Sequence, residues 1–507
     1  MKAADYRNSL RLHAESAEID TEDRYPRPLK GLNLHTCTPM TLNQPPATSN
    51  QQPVTCNDLK ENILCGLNNF FADFAWNSSR LHTKSAEIKT KDHKGFLSPV
   101  FCFLLIILVF LPSCKKEKEP APEIFELRKY APVDVSRQNP MHIYVHYMPW
   151  FEDKSSSASG DWGIHWTMAA RNPDIIGPVG NREIASHFYP MIGPYASSDP
   201  NVIEYHLLLM KYSGIEGILF DWYGASDIND YGAIRKNTEA MIGMLDEAGL
   251  KFAVVYEDRT IGAALDQHPE TDPVTMARDD MLYMEEHYFN HSNYIRLDGK
   301  PLLLLFGPEY FHDPAAWEEI LYVLEEEPVF LVLNGASSQT APWSSGEYIW
   351  VSNTSPDSRY ATAGNFEYFM GGAYPGFNDY YSEGGWGEGF TWSIEYNDGI
   401  TLQENLQKAK DYNMDAVQLI TWNDFGEGTM IEPTLEFRYK LLEKVQDFAG
   451  VQYNASDLEQ IRRLYELRKT WPAGNSYQTL LDQCFYYYVS LQTDKAKSIM
   501  DSLEIYH

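Results

Sequence analysis

The chain has 507 residues, with 71 acidic and 41 basic side chains that give a formal net charge of −30 at pH 7. A charge of this sign repels nucleic acid and anionic lipid headgroups, so no nucleic-acid partner is expected. The length exceeds one average domain, although a single α/β barrel with appended segments accounts for most of it. Of the six cysteines, only Cys484 follows residue 114, so the main fold is expected to depend on packing rather than on disulfides.

The first quarter of the chain predicts an export signal that begins far from Met1. Residues 1–95 are polar and aperiodic, which predicts an unstructured leader or a mis-assigned translation start. The apolar run "VFCFLLIILVFL" (100–111) is shorter than the roughly 20 residues that span a bilayer, but it suits the core of a signal peptide. A buried apolar strand or helix is the alternative interpretation.

The sequence "LPSC" after this run is similar to a bacterial lipobox, whose cysteine becomes the lipidated first residue of the mature protein. We therefore predict a lipoprotein signal peptide over 96–114, with Cys114 as the lipidation site, and a charged, proline-bearing tether over 115–138. The predicted protein is an exported bacterial lipoprotein of the cell envelope, held to a membrane only through its N-terminal lipid.

Residues 139–450 alternate short apolar runs with amphipathic stretches, which predicts a (β/α)8 TIM-like barrel. Several runs are nearly continuous in Val, Ile, Leu and Phe, as in parallel strands covered on both faces. An open doubly wound sheet is the alternative, but no glycine-rich dinucleotide or P-loop fingerprint follows the first strand. The eight predicted strands lie within 142–150, 214–223, 251–258, 301–307, 328–334, 347–353, 366–376 and 416–425.

Residues 451–507 predict a C-terminal helical extension packed against the barrel. The segments 456–470 and 477–503 indicate two helices, the first of them opened by Ser456 or Asp457 as the N-cap. Cys484 in the second helix is expected to be a small buried hydrophobe.

Polar and aromatic residues gather where the predicted strands end, which is where barrels of this type place their chemistry. Examples are His146, Asp221, Glu257, Glu309, Asn353, Asp379 and Asp424. Any one of these carboxylates could instead cap the following helix.

The segment "ITWNDFGEGTMIEPT" (420–434) follows the eighth run and concentrates three carboxylates there. Asp424 and Glu427 are three residues apart, and Gly426 and Gly428 permit a sharp turn that aims both side chains inward. A carboxylate pair is what glycosidic bond cleavage needs, one group to protonate the leaving oxygen and one to act on the other side of the reacting carbon. The same pair with Glu432 could alternatively bind a divalent cation. We predict neither a metal nor a cofactor, and the sequence offers no histidine cluster for zinc.

Over about 140–440 the sequence resembles glycoside hydrolase family 99, the endo-α-mannosidases and endo-mannanases, within a broader group that includes the family 71 α-1,3-glucanases. The segments that carry the resemblance are "YMPWF" (147–151) with "HW" (165–166), the run 189–223, "LDGKPLLLLF" (297–306) and residues 420–434. The resemblance implies a hydrolase of α-linked glycans, of α-mannan type and endo-acting, with an oligosaccharide or polysaccharide as its substrate.

The resemblance also implies roles for individual residues. Glu427 aligns with the family's general acid/base, and Asp424 with the carboxylate that deprotonates the substrate's own 2-hydroxyl in a retaining mechanism. Glu257 falls at a substrate-binding glutamate after strand three. The other predicted site residues are Trp150, His165, Trp166, Tyr195, Trp222, Asn423 and Glu432, the last expected to support the loop. Trp386 and Trp392, in the loop 381–399, are possible platforms for a sugar ring.

The sequence departs from family 99 at the turn itself, with Asp424 where the family has Glu and "FG" where it has Trp-His. The shorter side chain withdraws its carboxylate by about 1.5 Å. A wider pair leaves room for a water and favours inversion, since inverting enzymes hold the two groups about 6.5 to 9.5 Å apart. The triplet "WND" (422–424) is closer to family 71, so an α-glucan hydrolase is one alternative. A glycan-binding lipoprotein without catalysis and a metal-dependent hydrolase are the others.

Overall fold

The computed structural model describes residues 126–471 and 474–505. The predicted leader, the signal peptide with Cys114 and the first part of the tether lie outside the described residues. The domain boundaries proposed for that part of the chain therefore stay predictions.

Eight parallel strands close into a barrel, which confirms the predicted (β/α)8 fold. Each strand pairs with the next in the chain, β3 pairs with β4, and β8 pairs with β1, so the barrel has no open edge. All eight predicted runs supply a strand: β1 His142–Tyr147, β2 Gly217–Trp222, β3 Lys251–Tyr256, β4 Lys300–Leu305, β5 Val329–Leu333, β6 Gly346–Tyr348, β7 Tyr368–Ala373 and β8 Ala416–Leu419. The two-residue strand Arg296–Leu297 pairs antiparallel to β4 outside the closed barrel.

The strands are apolar throughout because helices cover their outer faces while side chains fill the interior. Every residue of β2 is buried, for example, although it includes Asp221. The helices are α1 Ile164–Thr167, α2 Pro200–Tyr212, α3 Tyr231–Ala248, α4 Thr260–Gln267, α5 Pro273–Met284, α6 Pro314–Leu321, α7 Pro356–Tyr360, α8 Tyr381–Gly384, α9 Ile400–Asp411, α10 Lys440–Ala449, α11 Ala455–Thr470, α12 Gln478–Val489 and α13 Thr493–Glu504. A π-helical turn, Glu285–Phe289, continues α5.

An aspartate followed by a proline starts three of the outer helices. The carboxylates of Asp199, Asp272 and Asp313 each accept a hydrogen bond from a backbone N–H in the first turn of α2, α5 and α6, respectively. Proline at the first helical position costs nothing there because its missing N–H would have no partner inside the helix. Each Asp-Pro pair thus fixes the residue at which an outer helix begins after a loop.

The C-terminal extension contains three helices, where the sequence analysis predicted two. The predicted second helix breaks at Ser490–Gln492, where Leu491 adopts a positive φ of 59°. The N-cap of α11 is Asn454 rather than Ser456 or Asp457. Its side chain accepts the Ser456 N–H at 2.8 Å, while the Asp457 carboxylate accepts the Asn454 N–H at 3.0 Å, which completes a capping box.

A buried ion pair fastens this extension to the barrel. Arg468 of α11 donates from Nη2 to Glu204 Oε2 of α2 at 2.7 Å, and both side chains are 8% exposed. Upstream of β1, the described part of the predicted tether runs along the same helices, with the Val133 N–H donating to Val489 O at 2.9 Å. Within the two described ranges, no helix has both the length and the apolar character needed to cross a bilayer.

Candidate active site

A cavity of about 950 Å³ lies at the carboxyl ends of the barrel strands. Its walls come from residues that follow β1, β2, β3, β4, β6 and β8, together with the loops that carry α1 and α8. Five of the predicted site residues line it: Trp150, His165, Glu257, Asp424 and Glu427. Residues far apart in the sequence thus face one space, because parallel strands in a barrel end at a common rim.

The turn after β8 presents Asp424 and Glu427 to this cavity. The two residues are 4% and 2% exposed, respectively, so both carboxyl groups are almost completely withdrawn from bulk water. The Asp424 N–H donates to Thr421 Oγ1 at 2.8 Å, and the Glu427 N–H donates to Asp424 Oδ1 at 2.9 Å. The second bond ties the two residues together, so the turn holds them as one unit.

The two glycines of the turn have different roles. Gly428 has a positive φ of 70°, and a Cβ there would approach Tyr396 Oη to 2.6 Å, so both conformation and space require glycine. A Cβ on Gly426 would lie 3.2 Å from Met168 Cε, a close but milder contact. Asp379, at the loop after β7, accepts the backbone N–H groups of Tyr381 and Phe390 at 3.1 Å, so it organises the neighbouring loop.

That neighbouring loop supplies a hydrogen bond to Glu427 and aromatic cover. Tyr381 Oη donates to Glu427 Oε1 at 3.1 Å. Trp386 lines the cavity and stacks on Tyr381 at 6.0 Å between ring centroids. Trp392, the other predicted platform, stacks on Phe377 at 4.4 Å and does not line the cavity.

Burial governs the electrostatics of Asp424. Loss of water raises the pKa of its carboxyl group from 3.8 to about 6, although the Glu427 N–H and the charge of His165 act in the opposite direction. His165 is held from two sides: its ring stacks on Trp150 at 4.1 Å, and its Nε2 lies 3.0 Å from Asp230 Oδ2. Burial alone would raise the pKa of Asp230, but the hydrogen bond and charge of His165 lower it overall.

A second pair of acids, Asp221 and Glu257, lies at the ends of β2 and β3 in the same cavity. Burial, the charge of Glu257 and a hydrogen bond between the two side chains raise the pKa of Asp221 well above its ordinary range. Arg259 Nε donates to Glu257 Oε2, and its Nη2 donates to Tyr223 Oη at 3.0 Å. Glu257 therefore lies between an acidic neighbour, Asp221, and a basic one, Arg259.

The remaining predicted site residues are buried behind the cavity wall and do not line it. Trp166, Tyr195, Trp222, Asn423 and Glu432 are at most 3% exposed and do not line the cavity. Trp222 faces outward because it follows Asp221 in β2, and successive side chains of a strand point to opposite faces. It packs there against Tyr283 and Tyr288.

The other four form a chain of contacts that supports the site. Trp166 Nε1 donates to Tyr195 O at 2.7 Å, and Tyr195 Oη donates to Glu432 Oε2 at 2.6 Å. Asn423 accepts the Met148 N–H at 2.8 Å and donates to Met148 O at 2.9 Å, so it joins the end of β8 to the end of β1. Glu432 belongs to this chain of contacts through Tyr195, and its role in supporting the loop stays a prediction.

Several cavity residues were not among the predicted site residues, notably Asp221, Asp230, Arg259 and Tyr381. Asp221 had a usable signal, a carboxylate at the end of an apolar run, whereas Tyr381 comes from a loop without one. Asp258, also at a strand end, instead accepts the N–H groups of Glu309 and Phe311 at 2.8 and 2.9 Å, respectively. Across the part of the chain that the structure describes, no group of three or more His, Cys, Asp or Glu side chains is arranged to hold a metal ion.

Comparison with known proteins finds relatives that are described as endo-alpha-1,2-mannosidases or as similar to them. A protein from Danio rerio described as a glycoprotein endo-alpha-1,2-mannosidase-like protein is 25% identical over 194 residues, which cover 36% of this chain and 41% of that protein. A glycoprotein endo-alpha-1,2-mannosidase from Xenopus laevis is 24% identical over 192 residues, 35% of this chain and 40% of that protein. The chain thus spans about two fifths of the length of these curated relatives.

One solved structure to which this chain is similar is the family 99 endo-alpha-mannosidase from Bacteroides thetaiotaomicron. It is 20% identical, with a TM-score of 0.47, and the match covers 62% of this chain and 99% of that one. The family model for glycosyl hydrolase family 99 matches residues 139–330, from β1 to the first residues of β5. This match lies in the segment that builds the first half of the barrel, so the chain is similar to family 99 over that segment.

Proposed function

We propose that the protein is a glycoside hydrolase that cleaves α-linked glycans, of α-mannan type, at internal bonds. The observation that carries the proposal is the turn after β8, which aims Asp424 and Glu427 into one cavity. A pair of carboxyl groups on either side of a bound sugar is the arrangement that glycosidic bond cleavage uses. The names of the family 99 relatives, endo-alpha-1,2-mannosidases, favour mannose over glucose.

In this proposal Glu427 protonates the leaving oxygen and Asp424 acts as the base. The hydrogen bond from Tyr381 Oη orients the carboxyl group of Glu427 in the cavity. Asp424, whose pKa is about 6, is ionised near neutral pH and still basic enough to remove a proton. Its proton donor is the substrate's own 2-hydroxyl in the retaining mechanism, or a water if the shorter side chain favours inversion.

The cavity walls support a neutral sugar as the bound group. Trp150 and Trp386 present flat rings at the cavity, and such rings pack well against the apolar faces of sugars. The acids Asp230 and Glu257 line the same space and would repel a sugar that carries a carboxylate or sulfate. An α-glucan substrate and non-catalytic glycan binding remain the alternatives that the experiment separates.

The test is the release of reducing ends from a panel of α-mannans and α-glucans, with the anomeric configuration of the product followed by NMR. Wild type should hydrolyse an α-mannan, and Glu427→Gln should lose turnover by at least about 10²-fold while it still binds the glycan. Glu443→Gln, on the exposed side of α10, is the matched control and should behave like wild type. Undiminished hydrolysis by Glu427→Gln would refute the assignment, and tight binding without hydrolysis by wild type would favour a glycan-binding protein.

We also propose that the chain is exported and anchored through a lipid on Cys114. The support is the sequence alone, namely the apolar run 100–111 and the lipobox-like "LPSC" that ends at this cysteine. The compartment matches the chemistry, since polymeric glycans are substrates that a cell meets outside its cytoplasm.

A further inference from the structure

Two buried polar groups on the cavity floor have no hydrogen-bond partner among the described residues. These are both ring nitrogens of His146, at the end of β1, and Oδ1 of Asp221, at the end of β2. The residues are 0% and 1% exposed, respectively, and both line the cavity. Gln418 lies beside the imidazole, but neither ring nitrogen reaches hydrogen-bond geometry with it. Buried polar groups are normally satisfied, so these atoms point to a ligand.

The two groups are fixed in place and close to each other. His146 Nε2 lies 4.0 Å from Asp221 Oδ1. The edge of Trp350 packs against the imidazole with 4.7 Å between ring centroids, and Asp221 lies in β2, where every residue is buried. The unpartnered atoms are therefore set by their neighbours rather than left to rotate, which is the property of a built binding site.

The position of this pair relates it to the proposed chemistry. In barrel order the strands run β8, β1, β2 and β3. Asp424 follows β8, His146 and Asp221 are near the ends of β1 and β2, and Glu257 follows β3. All four residues line the same cavity, and the charge of Asp424 contributes to the raised pKa of Asp221. A group that reached His146 and Asp221 would thus belong to the sugar that lies against Asp424.

A single hydroxyl group satisfies two of these atoms, His146 Nε2 and Asp221 Oδ1. Hydrogen bonds from a hydroxyl oxygen are about 2.8 Å long, so one oxygen between atoms 4.0 Å apart can reach each of them. A hydroxyl both donates and accepts, whereas an ether oxygen only accepts and a methyl group does neither. Burial lowers the pKa of His146 to about 3, so its neutral ring offers one donor and one acceptor nitrogen. The hydroxyl can therefore pair with His146 Nε2 and Asp221 Oδ1 whether the hydrogen lies on the imidazole or on the carboxyl group.

We propose that His146 and Asp221 together bind one hydroxyl group of the sugar beside Asp424, and that Asp221 determines specificity for a neutral sugar with that hydroxyl free. The inference rests on the proposed function for the identity of the ligand as a sugar. It adds a recognition point that is separate from the two proposed catalytic groups. A sugar that lacks the hydroxyl leaves two buried polar atoms unpaired, which is a strong ground for rejection.

The experiment compares a hydrolysed α-linked oligosaccharide with its monodeoxy analogues, one for each free hydroxyl of the sugar on the glycone side of the cleaved bond. Wild type, Asp221→Ala and Asp221→Asn are assayed for kcat/KM, with Asp447→Asn, an exposed site on α10, as the matched control. The same ligands are titrated by calorimetry against Glu427→Gln alone and combined with Asp221→Ala, so that binding is measured without turnover.

For wild type we expect one monodeoxy analogue to lose about 100-fold in kcat/KM. For Asp221→Ala the parent sugar should lose a similar factor, and that analogue should fall within about 5-fold of the parent, because the discriminating group is gone. The inference is overturned if wild type hydrolyses all analogues about equally well, or if Asp221→Ala keeps the full discrimination. Hydrolysis of the parent by wild type tests the proposed function separately, and the calorimetric ratio tests the hydroxyl even without turnover.

Discussion

Asp424→Asn should lower turnover and at the same time raise the stability of the folded protein. The substitution keeps Oδ1, which accepts the Glu427 N–H at 2.9 Å, and therefore keeps the bond that shapes the turn. It removes the ability to ionise, and with it the proposed base. We expect turnover to fall by about 10²-fold or more, while the folded protein becomes more stable at neutral pH than wild type.

The size of the stability effect follows from the pKa of Asp424. Burial raises this pKa from 3.8 to about 6, and the side chain is fully enclosed, so the shift corresponds to about 3 kcal/mol. Below about pH 3.8 the carboxyl group is protonated in both states and the cost is absent. Between pH 3.8 and about 6 only the unfolded chain loses its proton, so folding becomes less favourable. Above about 6 the folded protein holds a buried charge, and the full cost is present.

The assay is the free energy of unfolding in urea for wild type and Asp424→Asn, measured from pH 4 to pH 8. The difference between variant and wild type should grow by up to about 3 kcal/mol in favour of the variant as the pH rises. Asp415→Asn, at an exposed site before β8, serves as the control and should show no such trend. A difference that is constant over the pH range would refute the claim that Asp424 ionises at a cost inside the folded cavity.

Three further predictions follow from the same contacts. The kcat/KM of wild type should fall to roughly a tenth of its plateau at pH 5, because Asp424 takes up its proton. His165→Gln should move this fall in kcat/KM to higher pH, because the charge that lowers the pKa of Asp424 is lost. A flat profile from pH 4.5 to 7 would contradict this. Tyr381→Phe should lower kcat by about 10-fold with little change in KM, since it removes the bond to Glu427, and an unchanged kcat would count against that bond. Cys114→Ala should move the protein from the detergent phase to the aqueous phase in Triton X-114 partitioning, whereas partitioning like wild type would exclude this cysteine as the anchor.

The barrel could be predicted because its physical requirement is visible in the sequence. A strand covered on both faces must be apolar over its whole length, and eight such runs recur between 142 and 425. The turn after β8 was visible for a related reason, since carboxylates and glycines directly after an apolar run cannot continue the strand. The C-terminal break was not visible, because Leu491 adopts its positive φ without a glycine or proline to mark it.

The direction of individual side chains was harder to predict than the strands that carry them. Asp221 and Trp222 are adjacent, yet one faces the cavity and the other faces a helix, and which of them points inward depends on how the strand is rotated in the closed barrel. The expectation for Trp222 came from the resemblance to family 99, which does not fix the direction in which a side chain points. Tyr381 was missed because its contact with Glu427 spans 46 residues and depends on how the loop after β7 folds.

The most direct test is a crystal structure of the Glu427→Gln protein with an α-linked mannooligosaccharide bound. We predict a glycosidic oxygen within about 3 Å of the substituted side chain at position 427, with the Asp424 carboxylate on the other side of the same sugar ring. An oligosaccharide bound away from these two side chains, or one whose glycosidic oxygens all lie beyond their reach, would contradict it.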